Sequence, residues 1–202
     1  VRSATLSDVT DRLCVYCGSS PGASPAFATA AAELGTELAA RGIGLVYGGA
    51  SVGLMGVVAD AVHAGGGETI GIMTEQLVGA EIAHTGLTRL EIVATMHDRK
   101  ARMAELADGF VVLPGGLGTL DEAFEILTWN QLGLMRAPVV LLDVAGYFAH
   151  LFAFLDDAVA ARLLKPEHRA SVRRATAVGE AVDLACRAPE PTATKWIDRG
   201  AV

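Results

Sequence analysis

The segment Pro114 to Glu122 reads PGGLGTLDE and follows directly on the apolar run Phe110, Val111, Val112 and Leu113. A strand that ends in glycines and restarts as a helix leaves several backbone N–H groups without partners, and the spot they share suits a phosphate or another anion. Two carboxylates, Asp121 and Glu122, stand at the start of the same expected helix. A chain that sets an anion cradle beside a carboxylate is expected to handle a nucleotide or a sugar phosphate.

A second set of reactive side chains is Met96-His97-Asp98-Arg99-Lys100. Basic residues near a helix start oppose the helix dipole by about 0.3–1 kcal/mol, so a bound anion explains them better than helix stability does. Arginine offers a rigid fork for a carboxylate or phosphate, whereas lysine is a mobile point charge. Arg99 is therefore expected to face inward and Lys100 to sit nearer solvent or phosphate. The plain alternative is a pair of surface charges with Asp98 as a favourable first-turn acid. His97 could serve as a base, but a capping or satisfied structural histidine is the stronger reading. After the glycine turn, Thr119, Glu122 and Ile126 share one helix face while Asp121 points roughly 100° away, which makes Glu122 the carboxylate that looks into a crevice. Thr119 and Glu122 also have the spacing of a capping box, a purely structural alternative. The helix start and Arg99 would both hold Glu122 ionised, which suits a base or a cation stabiliser rather than an acid.

The elements that must position these residues alternate along the chain. Short β-rich runs occur at Arg12–Tyr16, Gly44–Tyr47, Thr69–Ile72, Glu91–Val93, Phe110–Leu113, Val139–Leu142 and, more weakly, Val172–Ala177. Alanine-rich helical runs lie between them, at Pro25–Ala40, Gly53–Ala64, His97–Ala107, Thr119–Leu132, Tyr147–Ala161 and Val178–Arg187. Continuous apolar strands alternating with helices predict an α/β chain: a Rossmann-like, three-layer parallel sheet with helices on both faces. Three strand ends carry glycine or hydroxyl clusters: CGSSPG from Cys17, YGGASVGLMG from Tyr47, and PGGLGTLDE. In an open parallel sheet such ends converge on one crevice. None is a strict GxGxxG, and no acid closes the second strand to hold a ribose, which disfavours NAD. The bland readings are tight strand-to-helix packing for Gly49, Gly53 and Gly56, and ordinary N-capping near Pro21 for Ser19 and Ser20.

Length and composition bound the rest. The 202 residues, 51% hydrophobic with 23 glycines and seven prolines, suit one domain at 11–187, with a flexible N-terminus (1–10) and a C-terminal tail (188–202). A net charge of -7 without a basic cluster argues against nucleic acid as a partner. Cys14, Cys17 and Cys186 are too few and too scattered for a disulfide scaffold, so a reducing, cytoplasmic setting is expected. Cys14 and Cys17 read as core and turn residues rather than as a redox or zinc pair. No apolar signal core opens VRSATLSDVT, and the apolar stretch from Leu34 to Val46 is broken by Glu37, Arg41 and glycines, so no membrane partner is expected. There is no HExxH, no cysteine–histidine set and no tight acidic cluster, and no metal or cofactor is expected.

Met96 to Lys100 followed by PGGLGTLDE resembles the Lonely Guy (LOG) family of cytokinin riboside 5'-monophosphate phosphoribohydrolases, once widely labelled lysine decarboxylases. The resemblance runs from CVYCGSSPG at Cys14 through YGGASVGLMG to TWNQLG at Thr128 and DVAGYF at Asp143. Family members usually carry glutamate where Asp98 stands, a conservative departure. The resemblance implies hydrolysis of the N-glycosidic bond of an N6-modified adenosine 5'-monophosphate, releasing free base and ribose 5-phosphate. It places the catalytic arginine and glutamate on Arg99 and Glu122. Ligand contacts fall on Glu81, Lys100, Thr128 and the segment Gly116, Leu117, Gly118, Thr119, Leu120, Asp121 and Glu122, to which the strand-end clusters themselves add Ser19 and Gly115 as candidates. It also implies a homodimer with active sites near the interface, for which the helical stretches Ala101–Ala107 and Phe124–Leu134 are candidates. Pyridoxal chemistry needs a lysine for its Schiff base, and only Lys100, Lys165 and Lys195 exist; none is well placed, so decarboxylation is not expected. Two alternatives stay open: a non-catalytic nucleotide or molybdenum-cofactor binding module of the same fold, which has no need of the Arg99 and Glu122 pair, and plain AMP as the working substrate.

Overall fold

The computed structural model describes residues 10–80 and 83–187; the expected flexible N-terminus up to Val9, the tail from Ala188 and the candidate contact Glu81 lie outside the described residues. Among the described residues seven parallel strands form a single sheet: β1 (Arg12–Tyr16), β2 (Gly44–Tyr47), β3 (Thr69–Thr74), β4 (Arg89–Val93), β5 (Gly109–Val112), β6 (Val139–Leu142) and β7 (Val172–Ala175), in the spatial order β4-β3-β2-β1-β5-β6-β7. The helices are α1 (Pro25–Ala40), α2 (Gly53–Ala64), α3 (Glu75–Ala80), α4 (Met96–Leu106), α5 (Leu117–Leu132), α6 (Ala149–Ala160), α7 (Pro166–Ala170) and α8 (Val178–Cys186).

Side chains on a strand alternate between faces, and here both faces are apolar. Leu13 and Val15 of β1 join a core with Leu34 and Leu38 of α1, Val58 and Val62 of α2, and Val182 of α8. Their neighbours Cys14 and Tyr16 point to the other side, into a core with Met103 of α4, Ala123 and Ile126 of α5, and Phe152 of α6. A sheet covered on both faces explains why its strands read as unbroken apolar runs. The helices α1 and α2 approach closely at Gly35, where a Cβ would lie 2.5 Å from the carbonyl oxygen of Val58.

The expected three-layer parallel architecture is present, with local differences. The short helices α3 and α7 are too brief to show an apolar period in the sequence. The helix expected from Tyr147 starts later, at Ala149. It is preceded by a 3₁₀ turn, Val144–Gly146, in which Ala145 (φ 53°) and Gly146 (φ 76°) are left-handed. The capping serine of α1 is Ser24, whose hydroxyl accepts from Ala26 N, not Ser19 or Ser20. No helix among the described residues is long and apolar enough to cross a membrane.

Candidate active site

The strand order reverses between β1 and β5, the place in an open parallel sheet where the loops beyond the carboxyl ends of the strands border a crevice. Gly18 N donates to Pro114 O (3.1 Å), tying the CGSSPG loop to the glycine turn. Leu54 N donates to Gly18 O (3.0 Å), which brings in the start of α2. At Gly53 (φ 59°) a Cβ would fall 2.2 Å from the carbonyl carbon of Ser19, so tight packing does explain that glycine. The three clusters thus meet around a cleft of about 320 Å³. Its wall is apolar, from Met55, Leu77, Met96 and Leu117, and its polar residues are Ser19, Thr119, Arg99 and Glu122.

Arg99 is the centre of this arrangement. The helix α4 begins with a capping box: Thr95 Oγ1 accepts from Asp98 N (3.1 Å), and Asp98 Oδ2 accepts from Thr95 N (3.1 Å). One residue further on, Arg99 leaves the helix toward the sheet and is 6% exposed. Its Nε donates to Ile72 O of β3 (2.9 Å), its Nη2 to Gly48 O beyond β2 (3.3 Å), and its Nη1 to Glu122 Oε1 of α5 (3.0 Å). Bonds to three separate elements leave the guanidinium little freedom to rotate. A Cβ at Gly48 would lie 2.4 Å from Nη2, so the second glycine cluster makes room for the arginine as well as for backbone packing.

Glu122 faces the cleft, as its helix position predicts. Its ionisation differs from expectation. Burial pushes the carboxyl above the usual glutamate range, and the opposing pull of Arg99 does not fully restore it. The sequence predicts that the first-turn position and the arginine dominate, but removal of water from the side chain outweighs them.

Lys100 corrects a second expectation. It is buried, not solvent-facing, and its Nζ bonds Asp121 Oδ2 (3.1 Å) and Glu125 Oε1 (3.2 Å). Burial draws the ammonium pKa down, but the two carboxylates outweigh it and leave it raised. One step along α4 turns Lys100 away from Arg99 and against α5, where it braces the helix pair. This ion-pair cluster gives Asp121 and Glu125 a structural reason to stand beside Glu122.

The remaining candidates divide between three surfaces. Gly116, Leu117, Gly118 and Thr119 line the cleft with Ser19. Gly115 lies on an adjoining pocket of about 300 Å³, beside Phe27 and Tyr147. Leu120, Asp121 and Thr128 lie with Phe124 and Trp129 on an open groove along the outer side of α5, which shares only Leu117 with the cleft. Thr119 does not cap α5: the cap is Gly116, the helix begins at Leu117, and buried Thr119 packs beneath the turn. Its Oγ1 sits 2.1 Å from where a Cβ on Gly115 would be, so Gly115 must be glycine. The capping box expected at Thr119 and Glu122 occurs at Thr95 and Asp98 instead, a T-x-x-D spacing visible in the sequence. His97 is exposed on α4. Cys14 and Cys17 are buried free thiols, and burial pushes both up, so the Cys17 side chain at the cleft stays protonated. Among the described residues no group of three or more His, Cys, Asp or Glu could hold a metal ion.

Comparison with known proteins places the chain in a family. The family model described as "Possible lysine decarboxylase" matches residues 55–185. A cytokinin riboside 5'-monophosphate phosphoribohydrolase of Arabidopsis thaliana is 50% identical over 158 residues, covering 78% of this chain and 73% of the relative. Another, from Oryza sativa subsp. japonica, is 45% identical over 171 residues, covering 85% and 71%. Among solved structures, the molybdenum cofactor binding protein of Rippkaea orientalis is similar with a TM-score of 0.65 at 22% identity, covering 87% of this chain and 95% of that one, a likeness of fold alone. With identity near one half across most of its length, the chain belongs to the LOG family of cytokinin riboside 5'-monophosphate phosphoribohydrolases, the group whose family model still carries the decarboxylase description.

Proposed function

We propose that the protein hydrolyses the N-glycosidic bond of cytokinin riboside 5'-monophosphates, that is, of N6-modified AMP, to the free base and ribose 5-phosphate. The observation that carries this reading is the Arg99–Glu122 pair, held at 3.0 Å in a cleft that also contains the amino end of α5. A non-catalytic carrier has no use for a largely desolvated carboxylate aimed into the cleft by an arginine. The unpaired N–H groups at the start of α5 bind the 5'-phosphate, with Ser19 and Thr119 beside them. Cleavage builds positive charge on the ribose, and the Glu122 carboxylate stabilises that charge or orients water toward the anomeric carbon. Burial makes this carboxylate a stronger base than an exposed one, because its charge lacks full hydration. Arg99 keeps it aimed. The apolar wall of Met55, Leu77, Met96 and Leu117 takes the modified base. Phosphate bound at a distance from the reacting bond supplies orientation, so unphosphorylated ribosides should be poor substrates. Decarboxylation has no support here, since Lys100 is committed to Asp121 and Glu125.

We further read the open groove along α5 as the contact with a second copy of the chain. Leu117, 89% exposed at the mouth of the cleft, is continuous with it, so a partner seated there would bring Leu120 and Thr128 into the completed site. Dilution should then lower activity and molecular mass together. The buried free thiols Cys14 and Cys17 suit a reducing compartment, and we place the protein in the cytoplasm.

The test is chromatographic product analysis after incubating purified protein with isopentenyladenosine 5'-monophosphate, with AMP and with the unphosphorylated riboside, without added metal or pyridoxal phosphate. Release of free base and ribose 5-phosphate from the monophosphates supports the assignment and ranks the bases. No release from any of them, with nucleotide bound, would turn the reading to a carrier of the same fold.

A further inference from the structure

Tyr147 lies outside the cleft, yet it is bonded to the turn that frames it. Its Oη donates to Gly115 O at 2.7 Å, across 32 residues of chain. The ring is held edge-on by Phe27 (centroids 5.4 Å, 78°) and Phe148 (5.0 Å, 84°). The left-handed pair Ala145 and Gly146 aims it, and Asp143 Oδ1 secures the turn by accepting from Phe148 N at 2.6 Å. Asp143, itself buried, is anchored by an ion pair with Arg174.

The glycine turn is packed on one side and open on the other. Thr119 and Gly18 crowd Gly115 from one side, whereas a Cβ on Gly116 or on Gly118 would meet nothing within 4 Å, so packing confines the turn only on its Gly115 side. Hydrogen bonds hold its carbonyls: Pro114 O accepts from Gly18 N, Gly116 O from Leu120 N, and Gly115 O, on the peptide between them, from Tyr147. In a planar trans peptide the C=O and the following N–H point in opposite directions. With Gly115 O held on Tyr147, the Gly116 N–H must turn away from Tyr147. Gly116 borders both the Tyr147 pocket and the cleft, whereas Tyr147 borders only the former.

We propose that Tyr147 is a positioning residue for the anion-binding turn: by holding the Gly115 carbonyl it presents the Gly116 amide to the substrate phosphate, and so sets the preference for phosphorylated over unphosphorylated nucleosides. The inference rests on the reading of this turn as the 5'-phosphate site. It predicts that the hydroxyl acts on binding of the phosphate and hardly on the chemistry at the anomeric carbon.

The experiment compares the parent protein with Tyr147→Phe, which keeps the ring and its two aromatic contacts and removes only the donor. Steady-state kcat and KM are measured for isopentenyladenosine 5'-monophosphate and for its riboside, together with inhibition by inorganic phosphate and the melting temperature. The expected result is a KM for the monophosphate and an inhibition constant for phosphate each raised roughly tenfold, the loss expected for one hydrogen bond that orients a charged contact. The kcat should stay within about twofold and the riboside kcat/KM should not change. An unchanged monophosphate-to-riboside ratio overturns the role of Tyr147, as does an equal loss on both substrates that follows a lowered melting temperature. A parent protein with no preference for the monophosphate overturns the phosphate reading of the turn itself.

Discussion

One methyl group at Gly48 should disarm the site without touching substrate. Gly48 is not among the glycines with positive φ, so alanine fits its backbone and the consequence is steric. The added carbon would stand 2.4 Å from Arg99 Nη2 and 2.9 Å from Met55 Sδ. The thioether can swing aside. The guanidinium cannot do so freely, because Nε is bonded to Ile72 O and Nη1 to Glu122. Restoring ordinary contact moves Nη2 by about 1 Å and breaks its bond to Gly48 O, which is already long at 3.3 Å. Losing one hydrogen bond to a charged group costs about 1.5–3 kcal/mol. That cost falls on the fold, whereas a misplacement of about 1 Å in a catalytic array costs about 10²-fold in rate, or about 2.7 kcal/mol of activation free energy. Gly48→Ala should therefore lower kcat/KM for isopentenyladenosine 5'-monophosphate by about 10²-fold, measured by release of free base, while circular dichroism remains that of the parent. In an Arg99→Lys background, where the fork is already lost, the same substitution should cost little more. A folded Gly48→Ala protein with activity within about threefold of the parent would refute the idea that Arg99 works only in this one position.

Glu122→Gln should keep nucleotide affinity within a few fold and lower turnover by roughly 10²-fold or more; unchanged turnover would remove the carboxylate from the chemistry. Because burial raises the Glu122 carboxyl in the folded chain, its contribution to stability is full below the unfolded-state pKa and is lost as pH rises through the folded value. The stability of the parent relative to Glu122→Gln, read from denaturant unfolding, should fall as pH is raised from about 4 to about 7. A flat difference would contradict the raised carboxyl. For the same reason the acid limb of kcat/KM should lie above the ordinary glutamate value of about 4.3, and a limb at or below it counts against Glu122 as the group that must be ionised. Thr95→Ala removes the hydroxyl that caps α4 and should cost about 1 kcal/mol, or a fall of about 2–4 °C in melting temperature. No shift would mean that the packing of Arg99 and Lys100 holds this helix start unaided.

Much of this protein is written in short spans of its sequence. The apolar runs of β1, β5 and β6 are unbroken because both faces of the sheet are covered, and that pattern alone announces a parallel sheet between helix layers. Glycine clusters at three strand ends announce where a ligand would enter, since glycine lets backbones meet as closely as Gly53 meets Ser19. The helical offset between Asp121 and Glu122 is local geometry, so which carboxylate faces the cleft could be read before the fold was known. The box at Thr95 and Asp98 is equally local, and lay in plain view beside a more conspicuous candidate at Thr119.

Other features depend on groups far apart in the chain. The three acceptors of Arg99 lie on β3, on the turn after β2 and on α5, and two of them are backbone carbonyls that no side-chain pattern reveals. The sequence reads Lys100 as solvent-facing because its partners, Asp121 and Glu125, stand on a different helix, the nearer of them 21 residues along the chain. Tyr147 reaches the glycine turn only after β6 has been laid beside β5. The Glu122 carboxyl rises because folding removes its water, and desolvation is a property of the assembled layers, not of any neighbouring residue in sequence. Period, caps and glycine positions are short-range constraints and survive in the primary structure. The direction of a guanidinium, the plane of a peptide and the hydration of a carboxylate come from long-range packing, and only the folded chain decides them.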